Sequence, residues 1–259
     1  MNRIMNQLTR RAWPRLAVAV AATLVLTGCE LLPIVGQPGP ERILASIAVV
    51  EAQTRVVDAS GNVYEVGFDQ VTSIRQDPFV RKSDAGGNLI WWVRHDETPA
   101  DVKAVAIDLD RDGNPYVVFS IDGGSNDPDR FQRNWVEGSP FSGAPFPSYG
   151  PGGGGTVTVV ARLNPRNGRI TDATFIISQL NNGNTNTFSP QGIRVVGNTV
   201  IVAANSAAWP PAAGSRAGGA FRRFDPEVFN DDTRSQGPRF QVALPLDLSE
   251  LSAVRWMDQ

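Results

Sequence analysis

The feature that most constrains this chain is a short turn set between two apolar, β-branched runs. Lys103 to Ile121 reads KAVAIDLDRDGNPYVVFSI, two strand-like segments broken at Asp110-Arg111-Asp112-Gly113-Asn114. Glycine and asparagine accept the positive φ that a tight hairpin demands, and the runs on either side have the β-branched and aromatic content of buried strands. The same turn occurs earlier. Asp58-Ala59-Ser60-Gly61-Asn62-Val63-Tyr64 aligns with Asp110-Arg111-Asp112-Gly113-Asn114-Pro115-Tyr116, and a valine follows each tyrosine by two residues, Val66 and Val118. A third stretch, Gly197-Asn198-Thr199-Val200-Ile201-Val202, keeps Gly-Asn and the apolar run.

A second kind of turn alternates with the first. Phe79 to Val93, FVRKSDAGGNLIWWV, places Asp84 and Gly87-Asn88 between two strand-like runs. Val159 to Ile177 places Asn164-Pro165 and Asn167-Gly168 in that role, and Asp225-Pro226 opens a third example. The order is therefore first turn, second turn, three times over: 58–64 and 84–90, 110–116 and 164–170, 196–202 and 224 onward. Internal repetition of short strands with almost no helical periodicity predicts an all-β chain. Roughly fifteen candidate strands would make about four antiparallel blades of a small or incomplete β-propeller, with a β-sandwich of the same hairpins as the alternative. Arg42 to Val57, apolar and β-branched at its centre, reads as a strand in preference to a short helix.

These residues resemble the SBBP-type bacterial β-propeller repeats, in which a D-x-x-G-N-x-Y-V hairpin is followed by a K-x-D-x-x-G-N-x-x-W hairpin. The resemblance runs from about residue 45 to residue 245 and implies blades, with the tryptophan at Trp91-Trp92 packing between them. The spacing departs from the repeat at Asp122 to Gly155, a Gly- and Pro-rich insertion. A loop this long inside a compact domain is usually functional. It carries Phe131, Trp135, Phe141, Phe146 and Tyr149. Such aromatics either tuck against the domain, the favoured reading, or form a surface for a partner protein or a glycan.

The N-terminus reads as an address. Arg3, Arg10, Arg11 and Arg15 precede an uncharged apolar run, Leu16 to Leu26, which is too short to span a bilayer but suits a signal-peptide core. Leu26-Thr27-Gly28-Cys29 follows and resembles the lipobox of bacterial lipoproteins. That resemblance implies cleavage before Cys29, acylation of its thiol and anchorage in a membrane. Cys29 is the only cysteine, so an intramolecular disulfide is impossible and an attachment site explains the lone exported thiol. Glu30 stands where some Gram-negative lipoproteins carry an inner-membrane retention aspartate, which leans towards the outer membrane. The expected organisation is a signal peptide over 1–28, a Pro/Gly tether over 29–41 and a propeller-like domain over 42–259. The four arginines leave with the leader, so the remaining chain is more acidic than the formal net charge of −2. That balance argues against a nucleic-acid partner.

Chemistry has few candidates. Asp108, Asp110 and Asp112 precede Gly113 at alternate positions, as in the start of a calcium loop. The twelfth position that an EF-hand fills with glutamate is Phe119. FG-GAP calcium loops of propellers, which these residues resemble up to Gly113, end in an aspartate where this chain has Tyr116. Calcium at Asp108, Asp110 and Asp112 is one expectation, and a β-turn that favours aspartate is the other. The single histidine, His95, cannot build a multi-histidine zinc site and reads as a surface or loop residue. Neither a nucleophile elbow nor a phosphate loop is present. The sequence thus predicts a lipid-anchored binding or scaffold protein without catalysis. It would meet an envelope protein or a glycan through its loops. The competing class is a calcium-dependent propeller enzyme similar to the lactonases.

Overall fold

The computed structural model describes residues 38–47, 50–73, 75–95, 101–122, 136–152, 155–224 and 239–257. The signal segment, Cys29 and most of the tether, together with Phe131, Trp135, Asp225 and Pro226, lie outside these residues. The described residues contain fourteen strands and one short helix and form an all-β fold. No helix among them is long and apolar enough to cross a membrane.

Three four-stranded antiparallel sheets follow one another along the chain, each with its strands in sequence order. The first comprises β1 (Arg55–Val57), β2 (Val63–Thr72), β3 (Arg75–Ser83) and β4 (Leu89–Arg94). The second comprises β5 (Val102–Leu109), β6 (Pro115–Asp122), β7 (Thr156–Leu163) and β8 (Ile170–Ile176). After the ribbon β9 (Ser178–Gln179) and β10 (Thr185–Asn186), the third sheet comprises β11 (Phe188–Val196), β12 (Thr199–Ser206), β13 (Arg239–Pro245) and β14 (Ala253–Met257). None of these sheets closes on itself.

The alternation of two turn kinds is explained by this topology. In the first and second sheets the first turn joins strands one and two, and the second joins strands three and four, so both lie at the same end. Connections between strands two and three lie at the other end. In the first sheet that connection is tight, from Thr72 to Arg75, whereas 123–155 and 207–238 are long. The third sheet corrects one expectation. Gly197-Asn198 is a two-residue turn, because Val196 pairs with Thr199, and is not a copy of the Asp58 and Asp110 turns. The turn expected at Asp225-Pro226 falls outside the described residues. β13 and β14 are joined by 246–252, where Asp247 Oδ1 accepts from the Ser249 amide at 3.1 Å.

The second sheet is the centre of the core. Its β5 packs against β2 and β3 on one side and against β11 on the other, and β11 also meets β6 and β7. Both faces of the sheet are therefore covered. That is why β6 is buried almost throughout and reads as a continuous apolar run instead of an alternating one. One hydrophobic cluster joins all three sheets, and Tyr64, Tyr116, Phe119, Phe175, Phe188 and Phe240 are among its fully buried side chains.

A second, small cluster lies on the far face of the third sheet. The helix α1 (Pro40–Ser46) begins inside the expected tether, because proline is tolerated in a first helical turn where its missing N–H costs nothing. It places Ile43 and Leu44 on Ile201, Ala203, Ala243 and Ala253, and each of its two buried side chains contributes roughly 2 kcal/mol. Arg255 fastens it by donating to Leu44 O at 2.8 Å. The expected strand over 42–57 is thus a helix followed by an extended strap, and pairing begins only at Arg55. On the way the strap passes Gly192, where a Cβ would lie 2.6 Å from Glu51 O. Gln53 O then accepts from the Ile107 amide at 2.8 Å. The N-terminal segment therefore ties the third sheet to the second.

Candidate functional site

Two of the turns that organise the sequence, at Asp58 and Asp110, line one cleft. In the Asp110 turn, the Asp110 carbonyl accepts from the Gly113 amide at 3.0 Å while the Asp110 amide donates to Asn114 O at 3.1 Å. The carboxylate closes the loop. Its Oδ1 accepts from the amides of Asp112 and Asn114, both at 2.9 Å, and its Oδ2 accepts from Asn114 Nδ2 at 2.8 Å. Asp58 makes the same three bonds to Ser60 and Asn62, each at 2.9 Å. Asp84 makes them to Gly86 and Asn88, at 2.8–2.9 Å. The motif is therefore a self-contained hydrogen-bond device, in which aspartate at the first position and asparagine at the fifth are chemical complements.

The proton affinities follow. Burial pushes the Asp58 carboxyl up, but hydrogen bonds from the Asn62 side chain and from the amides of Asn62 and Ser60, with Lys82 nearby, hold it below its ordinary value. Asp84 is held down chiefly by the Asn88 side chain and amide.

Between the Asp58 and Asp110 turns lies an open cleft of about 690 Å³, whose lining includes Gln53, Arg55, Asp58, Asp108, Asp110 and Arg111. Three of the expected metal ligands reach this cleft or its rim, but they serve different partners. Asp108 Oδ1 accepts from the Leu109 amide at 2.9 Å, while Oδ2 accepts from the Val195 amide at 2.8 Å and lies 3.9 Å from Arg194 Nε. Asp108 thereby fastens the third sheet to the second, a role its sequence position does not reveal. Both oxygens of Asp110 are engaged by its own turn. Asp112 is exposed, with only Arg111 beside it at 3.9 Å. Among the described residues, no three His, Cys, Asp or Glu side chains gather as a metal site requires.

These differences predict unequal substitutions. Asp110→Ala leaves the Asn114 amide without its partner in a nearly buried turn and is expected to cost about 2 kcal/mol. Asp112→Ala is expected to stay within about 0.5 kcal/mol, since its side chain contributes one exposed ion pair. Urea denaturation of the two variants compares them directly. Equal losses would mean that the carboxylate of Asp110 does not hold the turn.

The insertion aromatics that fall among the described residues are packing groups. Phe141 stacks on Phe175 with ring centres 5.3 Å apart, and Phe146 meets Phe221 at 5.8 Å. Phe146 and Tyr149 are buried, and the Tyr149 hydroxyl donates to Gly155 O at 3.1 Å. The alternative in which Phe141, Phe146 and Tyr149 present a binding surface is thus corrected, because the main core needs their area. The two long connections meet here. Gln179 and Trp209 pair at 2.9 and 3.1 Å, and Pro211 bridges Arg223, which extends the β9–β10 ribbon into a rudimentary fourth sheet. Its turn, Leu180-Asn181-Asn182-Gly183-Asn184, has the backbone bonds of the Asp58 turn, with Leu180 N to Asn184 O at 2.8 Å and Gly183 N to Leu180 O at 3.0 Å. Gly-Asn at its fourth and fifth positions was the available signal. Arg223 caps it, donating to Leu180 O at 3.0 Å and lying over the Trp209 ring.

The joint between the first and second sheets uses Trp91 and His95. Trp91 Nε1 and Lys82 Nζ both donate to Pro165 O, at 3.1 and 3.2 Å. Trp92, on the opposite face, stays partly exposed against Arg94. His95 is fully buried, contrary to the expected surface position. Its Nε2 lies 2.8 Å from Gly168 O, which only accepts, so Nε2 carries the proton. Burial lowers its pKa to about 4. No family model matches this chain, and no curated protein is similar to it.

Proposed function

We propose that this is a lipid-anchored, extracytoplasmic binding or scaffold protein, non-catalytic, built as a small propeller-like array of antiparallel blades. The observation that carries the reading is the ordered series of basic start, apolar core and Leu26-Thr27-Gly28-Cys29 ahead of a Pro/Gly-rich stretch. Acyl chains contribute about 0.8 kcal/mol per buried CH₂, so two or three of them hold a protein firmly on a membrane. The blade reading is supported by three consecutive four-stranded meanders and by the contact between β5 and β11, the first strands of two successive sheets. Rigid sheets with variable connections at one end are the usual carriers of recognition, and the partner proposed is an envelope protein or a glycan.

Cys29→Ser tests the anchor. The parent is expected in the membrane fraction with an acylated N-terminal peptide by mass spectrometry, and the variant in the soluble fraction without it. A variant that stays membrane-bound, or a parent whose Cys29 thiol is free, overturns the reading.

A further inference from the structure

The far face of the third sheet contains a chemical imbalance. Gly192, Ala203, Gln241 and Arg255 form one row across its four strands, and Asn205, Arg239 and Met257 lie in the next row. Gln241 has no exposed surface, and neither its Oε1 nor its Nε2 has a hydrogen-bond partner. Asn205 Oδ1 is also buried and unpaired. An unpaired buried polar group costs about 1–3 kcal/mol, and native proteins keep few of them. Beside the row opens a pocket of about 530 Å³, lined by Val50, Glu51, Gln191, Asn205, Arg239 and Met257 among others. Val50 of the strap packs with Ala203 and Ala243, which flank Gln241 across and along the sheet. The strap backbone crosses at Gly192, where only a missing side chain leaves room.

We propose that this pocket is a peptide-binding site covered in part by the strap. A residue of an extended peptide presents its backbone N–H and C=O to the same side, the complement of the Gln241 amide. Arg239, fixed on β13, supplies a positive charge on the pocket wall for the C-terminal carboxylate of a short peptide. Binding moves Val50–Ala52 off the row and satisfies Gln241, with Asn205 Oδ1 accepting a second amide N–H. The movable part is the stretch Val50–Ala52, which lies between α1, held by a small cluster and the Arg255 bond, and Gln53, whose carbonyl accepts from the Ile107 amide. The site is built from the third sheet and the strap and stands whether or not Cys29 is acylated.

The full-length protein, labelled with ¹⁵N, is titrated with glycylglycine and, separately, with N-acetylglucosamine, while the Gln241 side-chain amide is followed by NMR. Gln241→Leu assigns that signal, with Gln241→Met as a second apolar replacement. Glycylglycine is expected to shift the Gln241 amide in the parent and to leave the backbone signals of Gly192 and Ala203 unmoved in either variant. Both variants are expected to melt about 4 °C or more above the parent, since an unpaired amide leaves the core. A fall in melting temperature for both variants would show that Gln241 is already satisfied and would overturn the proposal. So would the absence of any glycylglycine shift in the parent, undiminished binding by the variants, or shifts caused by the acetamido sugar alone.

Discussion

Gly168→Ala is expected to destabilise the protein by about 4 kcal/mol. Two effects add. Gly168 sits at φ 73°, and a Cβ there would lie 2.7 Å from Trp91 Cζ3 and 3.0 Å from Val93 Cγ2. Left-handed backbone costs a residue with a side chain roughly 1–2 kcal/mol. Overpacking against a fixed ring adds about 1–3 kcal/mol. Trp91 cannot swing away without giving up its bond to Pro165 O. Gly87→Ala is the matched control, since φ is 85° there but nothing lies within 4 Å of the added atom. It is expected to cost only the backbone part, about 1–2 kcal/mol. Urea denaturation of both variants separates the terms. Pairing Gly168→Ala with Trp91→Leu is expected to recover part of the loss as positive coupling, because the second change removes the atoms that clash. Equal losses at the two glycines would mean that the first and second sheets are not locked at this point.

The second large effect is expected at acidic pH and has its source in His95, which donates to the carbonyl of Gly168. His95 has its folded pKa lowered to about 4, against an ordinary value of 6.5. The unfolded chain therefore takes up a proton at higher pH than the folded protein does. Its stabilising contribution is complete above pH 6.5 and is lost progressively as pH falls from 6.5 to about 4. The difference corresponds to about 3 kcal/mol. Carboxylates act in a lower window. Asp58, Asp84 and Glu137 are held below their ordinary values of 3.8, 3.8 and 4.5, so their contributions are lost only as pH falls further. His95→Gln keeps a donor for Gly168 O and removes the titration. Its unfolding free energy is expected to vary little between pH 6.5 and 4, while the parent loses most of its acid-sensitive stability there. A parent curve that is flat in this window would place the imidazole in contact with water.

How far the sequence could be read depended on the distance over which each residue acts. The hairpins at Asp58, Asp84 and Asp110 were legible because donor and acceptor lie within five positions, and the Asp–Asn complement closes whatever the rest of the chain does. The Leu180 turn escaped because leucine replaces the aspartate and its strands are only two residues long. The β13–β14 connection at Asp247 escaped because 246–252 contains no Gly-Asn pair to mark it. Asp108 looked like a partner of Asp110 because they are two apart. Its carboxylate instead reaches Val195, far along the chain. The insertion aromatics were ambiguous for the same reason, since Phe175 and Phe221, which cover Phe141 and Phe146, are remote in sequence.

The sequence by itself determined the all-β class and the hairpins at Asp58, Asp84 and Asp110, because these are energies of neighbouring residues. Only the tertiary structure decided that His95 is buried, that Gly168 must remain glycine and that the N-terminal strap crosses the third sheet at Gly192. Those outcomes depend on which surfaces meet. A residue becomes buried or confined only when a segment tens of positions away is folded against it.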